Sequence, residues 1–176
     1  SDKLVATWDL EKDENTSFSI KTNAAVLNFQ LLNDDKHLFI GLFNGDFHVV
    51  DIETRKEISF FPSHKLGVFS SCYLSDYNLL FVGAGDGTLS IWDTNRYEIL
   101  KNHQLGRGKI RAIQSLGEDV FIGNSKGQIF KINLSDLEES ILFTTIDYPI
   151  FCLNGYSDKN RLLIGDKNAH LTAIDI

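Results

Sequence analysis

The sequence predicts an all-β fold assembled from repeated four-stranded units. A pattern of eight residues recurs at intervals of 42, 42, 40 and 42 residues. Its five copies close at Asp9, Asp51, Asp93, Asn133 and Asp175. No segment carries the sustained 3.6-residue periodicity of a helix, and four short strands per period of about 42 residues are typical of a β-propeller blade. We therefore expect residues 1–176 to form one β-propeller domain or an arc of a larger propeller.

The central hairpin of each unit is clearest in the third copy. Residues 79–83 form an apolar run, and residues 88–92 alternate polar and apolar side chains, as a half-buried strand does. Between them lies Gly85-Asp86-Gly87, and an Asp-Gly pair favours a tight hairpin turn because that turn needs positive φ. The other copies predict hairpins that pair 38–41 with 47–50, 120–123 with 129–132, and 162–165 with 171–174.

Two further strands flank each hairpin. An outer strand follows the closing acid or amide, and an inner strand follows the next polar or glycine-containing loop. We expect outer strands at 17–21, 57–61, 97–101 and 140–146, and inner strands at 26–31, 68–74, 110–116 and 150–153. The first copy adds a third strand at residues 4–8. Residues 134–140 are compatible with a single helical turn.

Composition and charge restrict the class of protein. The chain of 176 residues is 43% hydrophobic, enough to bury most of its surface in one unit. A net charge of −7 argues against a general nucleic-acid binder. The sequence has no secretory signal and no apolar run of about 18 residues, which predicts a cytoplasmic protein without a membrane span. Cys72 and Cys152 lie in apolar runs and are expected to be buried reduced thiols.

Three segments resemble the WD40 family of propellers. Gly85-Asp-Gly-Thr-Leu-Ser-Ile-Trp-Asp93 and Asp2-Lys-Leu-Val-Ala-Thr-Trp-Asp9 are similar to that family's blade ending, and His64-Lys-Leu-Gly-Val68 resembles its histidine loop. The resemblance extends over essentially the whole chain and is strongest in the first and third copies. In the other copies the closing tryptophan is replaced by Val50, Ile132 and Ile174.

The resemblance implies a structural role for three of these residues. In WD40 proteins a loop histidine, a strand hydroxyl, a turn aspartate and the closing tryptophan form a hydrogen-bond chain within one blade. His64, Asp86 and Trp92 match three of these positions, but Gly83 stands where the hydroxyl is expected, so the resemblance implies an incomplete chain. Such a network would stabilise the blade. A catalytic role is disfavoured, because we expect no serine to be aimed at His64.

The resemblance also bears on the number of blades. WD40 propellers most often have seven blades, which at about 42 residues each would need close to 300 residues. This chain offers about four, begins and ends at the third strand of a unit, and contains no methionine. We therefore expect an arc of a larger, seven-bladed propeller rather than a closed four-bladed ring. Expressed alone, such an arc would self-associate through its open apolar blade faces.

A second resemblance, to quinoprotein-like propellers, is carried by residues 38–51. It implies an alternative function, that of an envelope propeller acting as an enzyme remnant or an assembly factor. That family usually places a tryptophan in the following strand, where this chain has Ile58-Ser-Phe-Phe61. An export signal or quinone binding would distinguish this alternative.

One basic cluster stands out in the acidic chain. Arg107, Lys109 and Arg111 lie in the connection between the outer strand of one unit and the inner strand of the next. The cluster is either a solvated loop or a contact for an anion or an acidic peptide. The histidines are scattered, and no acid-rich segment has the spacing of a calcium loop, so we predict neither a metal site nor a cofactor.

The function predicted from these observations is a non-enzymatic scaffold that binds a protein or peptide through one face of the propeller. A repeated fold supplies a rigid platform on which loops can vary. This step rests on analogy with WD40 proteins, because a fold by itself does not determine a function. The residues that bind are expected in the loops, since the recurring residues build the blades.

Overall fold

The computed structural model describes residues 3–176, and this part of the chain contains seventeen β-strands and no α-helix. The first residue of the first repeat copy, Asp2, lies outside the described residues. Two 3₁₀ turns, Ser75–Tyr77 and Ser157–Lys159, join strands. The strands are β1 (Leu4–Asp9), β2 (Glu14–Lys21), β3 (Val26–Leu32), β4 (His37–Leu42), β5 (Asp46–Asp51), β6 (Glu57–Pro62), β7 (Val68–Leu74), β8 (Leu79–Ala84), β9 (Thr88–Asp93), β10 (Glu98–Gln104), β11 (Ile110–Leu116), β12 (Asp119–Asn124), β13 (Gln128–Asn133), β14 (Asp136–Thr145), β15 (Ile150–Tyr156), β16 (Arg161–Asp166) and β17 (Leu171–Asp175).

The strands form antiparallel sheets in their order along the chain. Three sheets are complete four-stranded units, which we call blade 1 (β3–β6), blade 2 (β7–β10) and blade 3 (β11–β14). They are flanked by a two-stranded sheet, blade 0 (β1–β2), and a three-stranded sheet, blade 4 (β15–β17). The innermost strands β3, β7, β11 and β15 pack side by side in chain order. The predicted propeller arc is confirmed.

The second residue of the repeat pattern lies in the left-handed backbone region in every copy. The φ values are 48° for Lys3, 94° for Gly45, 79° for Gly87, 76° for Gly127 and 61° for Ala169. Glycine adopts this conformation without steric cost. At Gly87 a β-carbon would also lie 2.4 Å from the carbonyl oxygen of Gly106. The third copy therefore requires glycine, whereas the fifth accepts Ala169 with a strained backbone.

The closing residue of the pattern caps the turn that leads to the outer strand. A carboxylate oxygen of Asp51 accepts hydrogen bonds from the backbone N–H and the hydroxyl of Thr54, and these bonds hold the pKa of Asp51 below its ordinary value. Asp9 and Asp93 accept from backbone N–H groups two residues on, at 3.0 and 2.7 Å. Asn133 does the same at 2.9 Å. An amide oxygen serves as well as a carboxylate in such a turn, which explains why the pattern accepts Asn133.

The single helical turn considered for residues 134–140 is not formed. Asn133 pairs with Asp136 across a two-residue turn, and β14 begins at Asp136. Because the capped turn reverses the chain at once, this segment becomes the outer strand of blade 3.

Aromatic side chains fill the space between blades 1 and 2. The rings of Phe47 and Trp92 meet edge-on with centroids 5.1 Å apart, and the Phe61 ring lies 4.7 Å from Trp92. Phe39 packs on Phe47 at 4.9 Å, and both phenylalanines are buried. Aromatic pairs of this kind contribute about 0.5–1.5 kcal/mol each beyond burial. Trp92 thus belongs to the core between blades as well as to the closing pattern.

The first inner strand carries an uncovered apolar side chain. Phe29 on β3 is 66% exposed. Its equivalent on β7, Ser71, faces the preceding blade and accepts a hydrogen bond from Asn28 there at 2.7 Å. Phe29 therefore points toward blade 0, where the described residues supply no inner strand to cover it.

The two cysteines differ in burial. Cys152 on β15 is exposed, so the prediction that it is buried is wrong. Its equivalent Ser70 faces the following blade, where it donates a hydrogen bond to the Ile110 carbonyl at 3.3 Å, and no sheet follows blade 4 in the described structure. Cys72 is partly buried, and burial raises the pKa of its thiol.

Candidate functional site

Loops at the two ends of the blades form two faces. The upper face is the end at which the inner strands begin, and the lower face is the opposite end. Backbone hydrogen bonds join the upper loops, among them His64 N–H to Gly45 O at 3.1 Å and Ser125 N–H to Lys109 O at 2.9 Å. The upper face is therefore a connected backbone framework. It consists of the inter-blade connections 22–25, 63–67, 105–109 and 146–149 and the hairpin turns 43–45, 85–87, 125–127 and 167–170.

A hydrogen-bond chain crosses the upper part of blade 2. Trp92 Nε1 donates to Ser90 Oγ at 2.7 Å, and Ser90 Oγ lies 3.0 Å from His64 Nε2. His64 Nδ1 lies 2.6 Å from Thr88 Oγ1, and Thr88 donates to a carboxylate oxygen of Asp86. The chain links the loop before β7, the hairpin turn and strand β9.

The chemistry of the two end groups determines which atom donates at each step of this hydrogen-bond chain. Thr88 donates its hydroxyl hydrogen to Asp86, so it accepts from His64 Nδ1–H, and His64 Nε2 then accepts from the Ser90 hydroxyl. This arrangement requires a neutral imidazole. Burial lowers the pKa of His64, against the opposing effect of the Asp86 charge, and so favours the same form. Burial acts to raise the pKa of Asp86, but hydrogen bonds from Thr88 and Lys65 outweigh it and hold that pKa below its ordinary value.

The three network residues taken from the sequence are brought together, but through two hydroxyls that sequence reasoning missed. The hydroxyl sought at Gly83 is supplied by Ser90. A β-carbon at Gly83 would lie 2.3 Å from Ile110 Cγ2 of the next blade, so close packing requires glycine there. The sequence of strand β9 could have predicted these two hydroxyls. Side chains two residues apart in a strand point to the same face, so Thr88 and Ser90 lie on the face that carries Trp92.

The expectation that no serine faces His64 is wrong. Ser90 is fully buried, and its hydroxyl is shared between His64 and Trp92. A nucleophilic serine must reach its substrate, and this side chain is closed to solvent. The arrangement therefore stabilises the blade rather than presenting a nucleophile.

A cavity of about 470 Å³ opens beside this chain, with His64 and His103 in its lining. Both ring nitrogens of His64 are engaged in the chain. His103 Nε2 donates to the Leu137 carbonyl oxygen at 2.9 Å. The hydrogen bonds of these two histidines therefore serve packing within and between blades.

The predicted basic cluster lies on the upper face, at and just before the start of the inner strand β11. Lys109 Nζ is 5.4 Å from the centroid of the Phe69 ring, and Arg111 Cζ lies 5.7 Å from Phe69 and 4.9 Å from Phe151. Arg107 is exposed in the turn that precedes them. None of these three cations forms an ion pair within residues 3–176. The structure thus places two of these cations on aromatic rings of neighbouring inner strands.

The contact between these aromatic rings and Arg111 could have been predicted from their positions in the repeat. Phe69, Arg111 and Phe151 each occupy the second residue of an inner strand, on β7, β11 and β15. Equivalent positions of consecutive blades meet around the axis of a propeller, whatever their separation in sequence. Aligning the repeat copies would therefore have predicted that these three side chains lie close together, whereas composition alone would not.

Charges divide unequally between the two faces. The upper loops carry the cations Lys65, Arg107, Lys109, Lys126 and Lys167 and the acids Asp86 and Asp147. The lower loops carry the acids Glu11, Asp13, Asp34, Asp35, Glu53, Asp76, Glu118 and Asp158 and the cations Lys12, Lys36, Arg55, Lys56, Arg96 and Lys159. The upper face is thus positive on a chain whose net charge is −7. Such a face attracts acidic partners.

No three or more His, Cys, Asp or Glu side chains of residues 3–176 come together as a metal site would require. No helix within the same residues has the length and apolar character needed to cross a membrane.

Comparison with known proteins bears on the family. No protein-family model matches the chain. WD repeat-containing protein 55 of Rattus norvegicus is 25% identical to it over 178 residues, which cover 99% of this chain and 46% of that protein. The resemblance to the WD40 family is confirmed. The U3 snoRNP-associated protein-like EMB2271 of Arabidopsis thaliana is 27% identical over 135 residues, which cover 75% of this chain and 28% of that protein.

A third relative of this WD40-like chain is the DDB1- and CUL4-associated factor 11 homolog of Caenorhabditis briggsae. It is 25% identical over 137 residues, which cover 72% of this chain and 24% of that protein. The chain spans less than half the length of each of these relatives. The comparisons do not favour the quinoprotein-like alternative.

Solved structures support the fold alone. The crystal structure of the computationally designed Ika4 protein matches with a TM-score of 0.77 at 18% identity, covering 88% of this chain and 93% of that one. The designed Ika8 protein matches with a TM-score of 0.81 at 20% identity, covering 99% of this chain and 53% of that one. Both are propeller-like, which agrees with the arc of WD40-like blades.

Proposed function

We propose that this chain is a non-enzymatic WD40-like scaffold, a single propeller arc over residues 1–176 that binds a protein partner through its upper face. The observation that carries the proposal is the unpaired positive charge of that face. Arg107, Lys109 and Arg111 have no internal carboxylate partner among the described residues, in a chain with an excess of acids. An acidic partner would supply the missing charge.

Exposed apolar side chains lie on the same face. Phe43 is 63% exposed and Leu66 is 52% exposed. The loops that carry them are packed together: a β-carbon at Gly67 would lie 2.9 Å from the Phe43 carbonyl oxygen, and one at Gly85 would lie 3.1 Å from Leu66 Cβ. Protein interfaces combine apolar anchors with a polar rim, and this framework offers both.

The relatives support an interaction function. WD-repeat relatives suggest a scaffold for protein interactions. Two relatives carry names that refer to association with other components, the U3 snoRNP-associated protein-like EMB2271 and the DDB1- and CUL4-associated factor 11 homolog. Those partners belong to those proteins. For this chain we propose only the mode, in which the upper face binds another protein without chemistry of its own.

Site-specific photo-crosslinking tests the proposal. A photoreactive residue in place of Leu66 reports contacts at the upper face, and one in place of Tyr77 reports contacts at the lower face. We expect crosslinked protein from cell extract with the Leu66 probe only. The triple variant Arg107→Glu, Lys109→Glu and Arg111→Glu should abolish it.

The matched control reverses three cations of the lower face, Lys36→Glu, Lys56→Glu and Arg96→Glu. This variant carries the same change in net charge and should retain the crosslinks at position 66. Equal crosslinking from position 77, or survival of the crosslinks in the upper-face triple variant, would contradict the proposal.

A further inference from the structure

The same backbone irregularity occurs in all four inner strands. The strand register skips one residue between Val26 and Asn28, Val68 and Ser70, Ile110 and Ala112, and Ile150 and Cys152. A β-bulge of this kind turns the extra residue's side chain away from its normal direction. The residues so placed are Leu27, Phe69, Arg111 and Phe151, which form a ring segment at the upper ends of the four neighbouring inner strands.

Arg111 is the only charged member of this ring. Its guanidinium carbon lies 5.7 Å from the Phe69 ring centroid and 4.9 Å from that of Phe151, so that two neighbouring blades hold it by cation–π contacts. Lys109 Nζ adds a second cation at 5.4 Å from Phe69. The site is thus preorganised: rings from blades 2 and 4 position a guanidinium from blade 3.

The guanidinium lacks an acceptor. Arg111 Nε is buried and has no hydrogen-bond partner, and within residues 3–176 the side chain forms no ion pair. Some other cations of the chain are paired, as Lys131 is with Asp119 at 3.1 Å and Arg161 with Asp175 at 2.7 Å. A buried donor without an acceptor is costly and rare in proteins, so the guanidinium has hydrogen-bonding capacity that no described residue satisfies.

The space beside Arg111 limits the size of the ligand. A cavity of about 220 Å³ opens there, lined by Phe69, Arg111, Phe151 and their neighbours on the inner strands. Pockets for small molecules usually measure about 300–1,000 Å³, so this one suits a single side chain. A guanidinium fork matches the planar geometry of a carboxylate.

We propose that Arg111, held by Phe69 and Phe151 and assisted by Lys109, binds the carboxylate of a glutamate or aspartate side chain on a protein partner. The proposal rests on the proposed function and adds the chemistry that the upper face recognises. The acid enters the cavity beside Arg111, and a neighbouring apolar residue of the partner packs on Phe43. The ligand is a peptide segment, which supplies both groups.

Binding to a peptide array tests this inference with the full chain. The array carries short amidated peptides with random flanks and a central residue fixed as Glu, Gln, phosphoserine or Lys. We expect the Glu set to bind and the Gln and Lys sets to bind far more weakly. Arg111→Gln should reduce binding of the Glu set roughly ten- to hundred-fold, the range for losing a charge-assisted hydrogen bond.

Two further variants distinguish the planar geometry of the Arg111 guanidinium from its positive charge and from the net charge of the chain. Arg111→Lys keeps the charge but not the planar fork and should bind at an intermediate level. Arg96→Gln removes the same charge from the lower face and should bind as the unchanged chain does. Thermal unfolding confirms that each variant is folded before binding is measured.

Four outcomes would overturn the inference: equal binding of the Glu and Gln sets, stronger binding of the phosphoserine set, an equal loss with Arg96→Gln, or no binding by any set. Upper-face crosslinks that depend on the three cations would still leave the scaffold proposal standing in each of these cases. If the Leu66 probe forms no crosslinks but the chain still prefers the Glu peptides, the result would instead point to a peptide site without a protein-scaffold role.

Discussion

His64 Nε2 lies 3.0 Å from the hydroxyl of Ser90, and this contact joins the loop before blade 2 to the strand that carries Trp92. It completes a directional chain from the indole N–H of Trp92 to the carboxylate of Asp86. Each member donates to the next, so loss of the Ser90 hydroxyl leaves both Trp92 Nε1 and His64 Nε2 without a partner. The contribution of Ser90 Oγ to the free energy of unfolding can therefore be measured by removing it.

Replacing Ser90 with alanine should destabilise the chain. The substitution leaves the buried N–H of Trp92 without an acceptor and His64 Nε2 without a donor, at a cost of about 1–3 kcal/mol for each unsatisfied group. Urea unfolding followed by tryptophan fluorescence measures the free energy. Ser19→Ala, an exposed serine on β2, is the matched control and should change it by less than about 0.5 kcal/mol.

The stability of the chain should fall as pH drops below the ordinary histidine range. The native pKa of His64 is lowered, mainly by burial, so the unfolded chain takes up the proton first, near pH 6.5. The stabilisation from the neutral imidazole is therefore full above about pH 6.5 and is lost as pH falls below it. Urea unfolding at several pH values measures this slope.

The variant His64→Gln tests whether that slope belongs to His64. A glutamine amide can donate and accept hydrogen bonds but does not titrate, so the variant should be less stable at neutral pH and show a shallower loss on acidification. A slope identical to that of the unchanged chain would assign the effect to other histidines.

The positive φ at the second residue of the repeat pattern predicts opposite changes in stability for two substitutions. Gly87→Ala should destabilise by more than about 1 kcal/mol, because φ is 79° and the new β-carbon would lie 2.4 Å from the Gly106 carbonyl oxygen. Ala169→Gly should stabilise by about 0.5–1 kcal/mol, because it relieves a positive φ of 61° in the fifth copy. Thermal unfolding measures both. Opposite signs are required, and destabilisation by Ala169→Gly would refute the strain argument.

Blades 1 and 2 are also joined at the lower face, where Tyr97 Oη lies 2.5 Å from His37 Nδ1 and accepts from Asn33 Nδ2 at 3.1 Å. Burial, with a smaller contribution from Tyr73, raises the pKa of Tyr97 to about 12. The unfolded phenol ionises near pH 10, so its stabilisation is present below that pH and lost as pH rises toward 12. The stability difference between the unchanged chain and Tyr97→Phe should therefore shrink above pH 10, and a constant difference would contradict this.

The uncovered side of blade 1 predicts self-association when the 176-residue chain is expressed alone. Phe29, 66% exposed on β3, is the most exposed apolar residue of that strand. Phe29→Glu should lower the mass measured by light scattering. Leu10→Glu, at an 88% exposed loop position, carries the same charge change and should leave the mass unchanged. A clean monomer of the unchanged chain would contradict the prediction.

Much of the fold could be predicted because its determinants are local. The glycine turn before Thr88, the alternation through Trp92 and the capping side chain of Asp93 each act over a few residues. The helical turn with which residues 134–140 are compatible does not form, because Asn133 closes its turn within two residues, which composition does not reveal. Cys152 was expected to be buried because it lies in an apolar run, but it is exposed. Burial of its side chain depends on a neighbouring sheet rather than on its own segment.

The candidate site was predicted only in part. Arg107, Lys109 and Arg111 were recognised by their charge, and His64, Asp86 and Trp92 by family resemblance. Ser90 and the two rings around Arg111 were missed, since their roles depend on contacts across the blade or between blades.

The sequence by itself determined the repeat, the strand order and the turn chemistry of this protein, because period-two alternation, positive φ and side-chain capping are properties of short segments. Only the tertiary structure decided which side chains meet. Phe69 and Phe151 hold Arg111 because bulges at the same register of neighbouring inner strands turn these residues toward one axis. Such a contact depends on distances between blades, and those distances are set by how the blades pack.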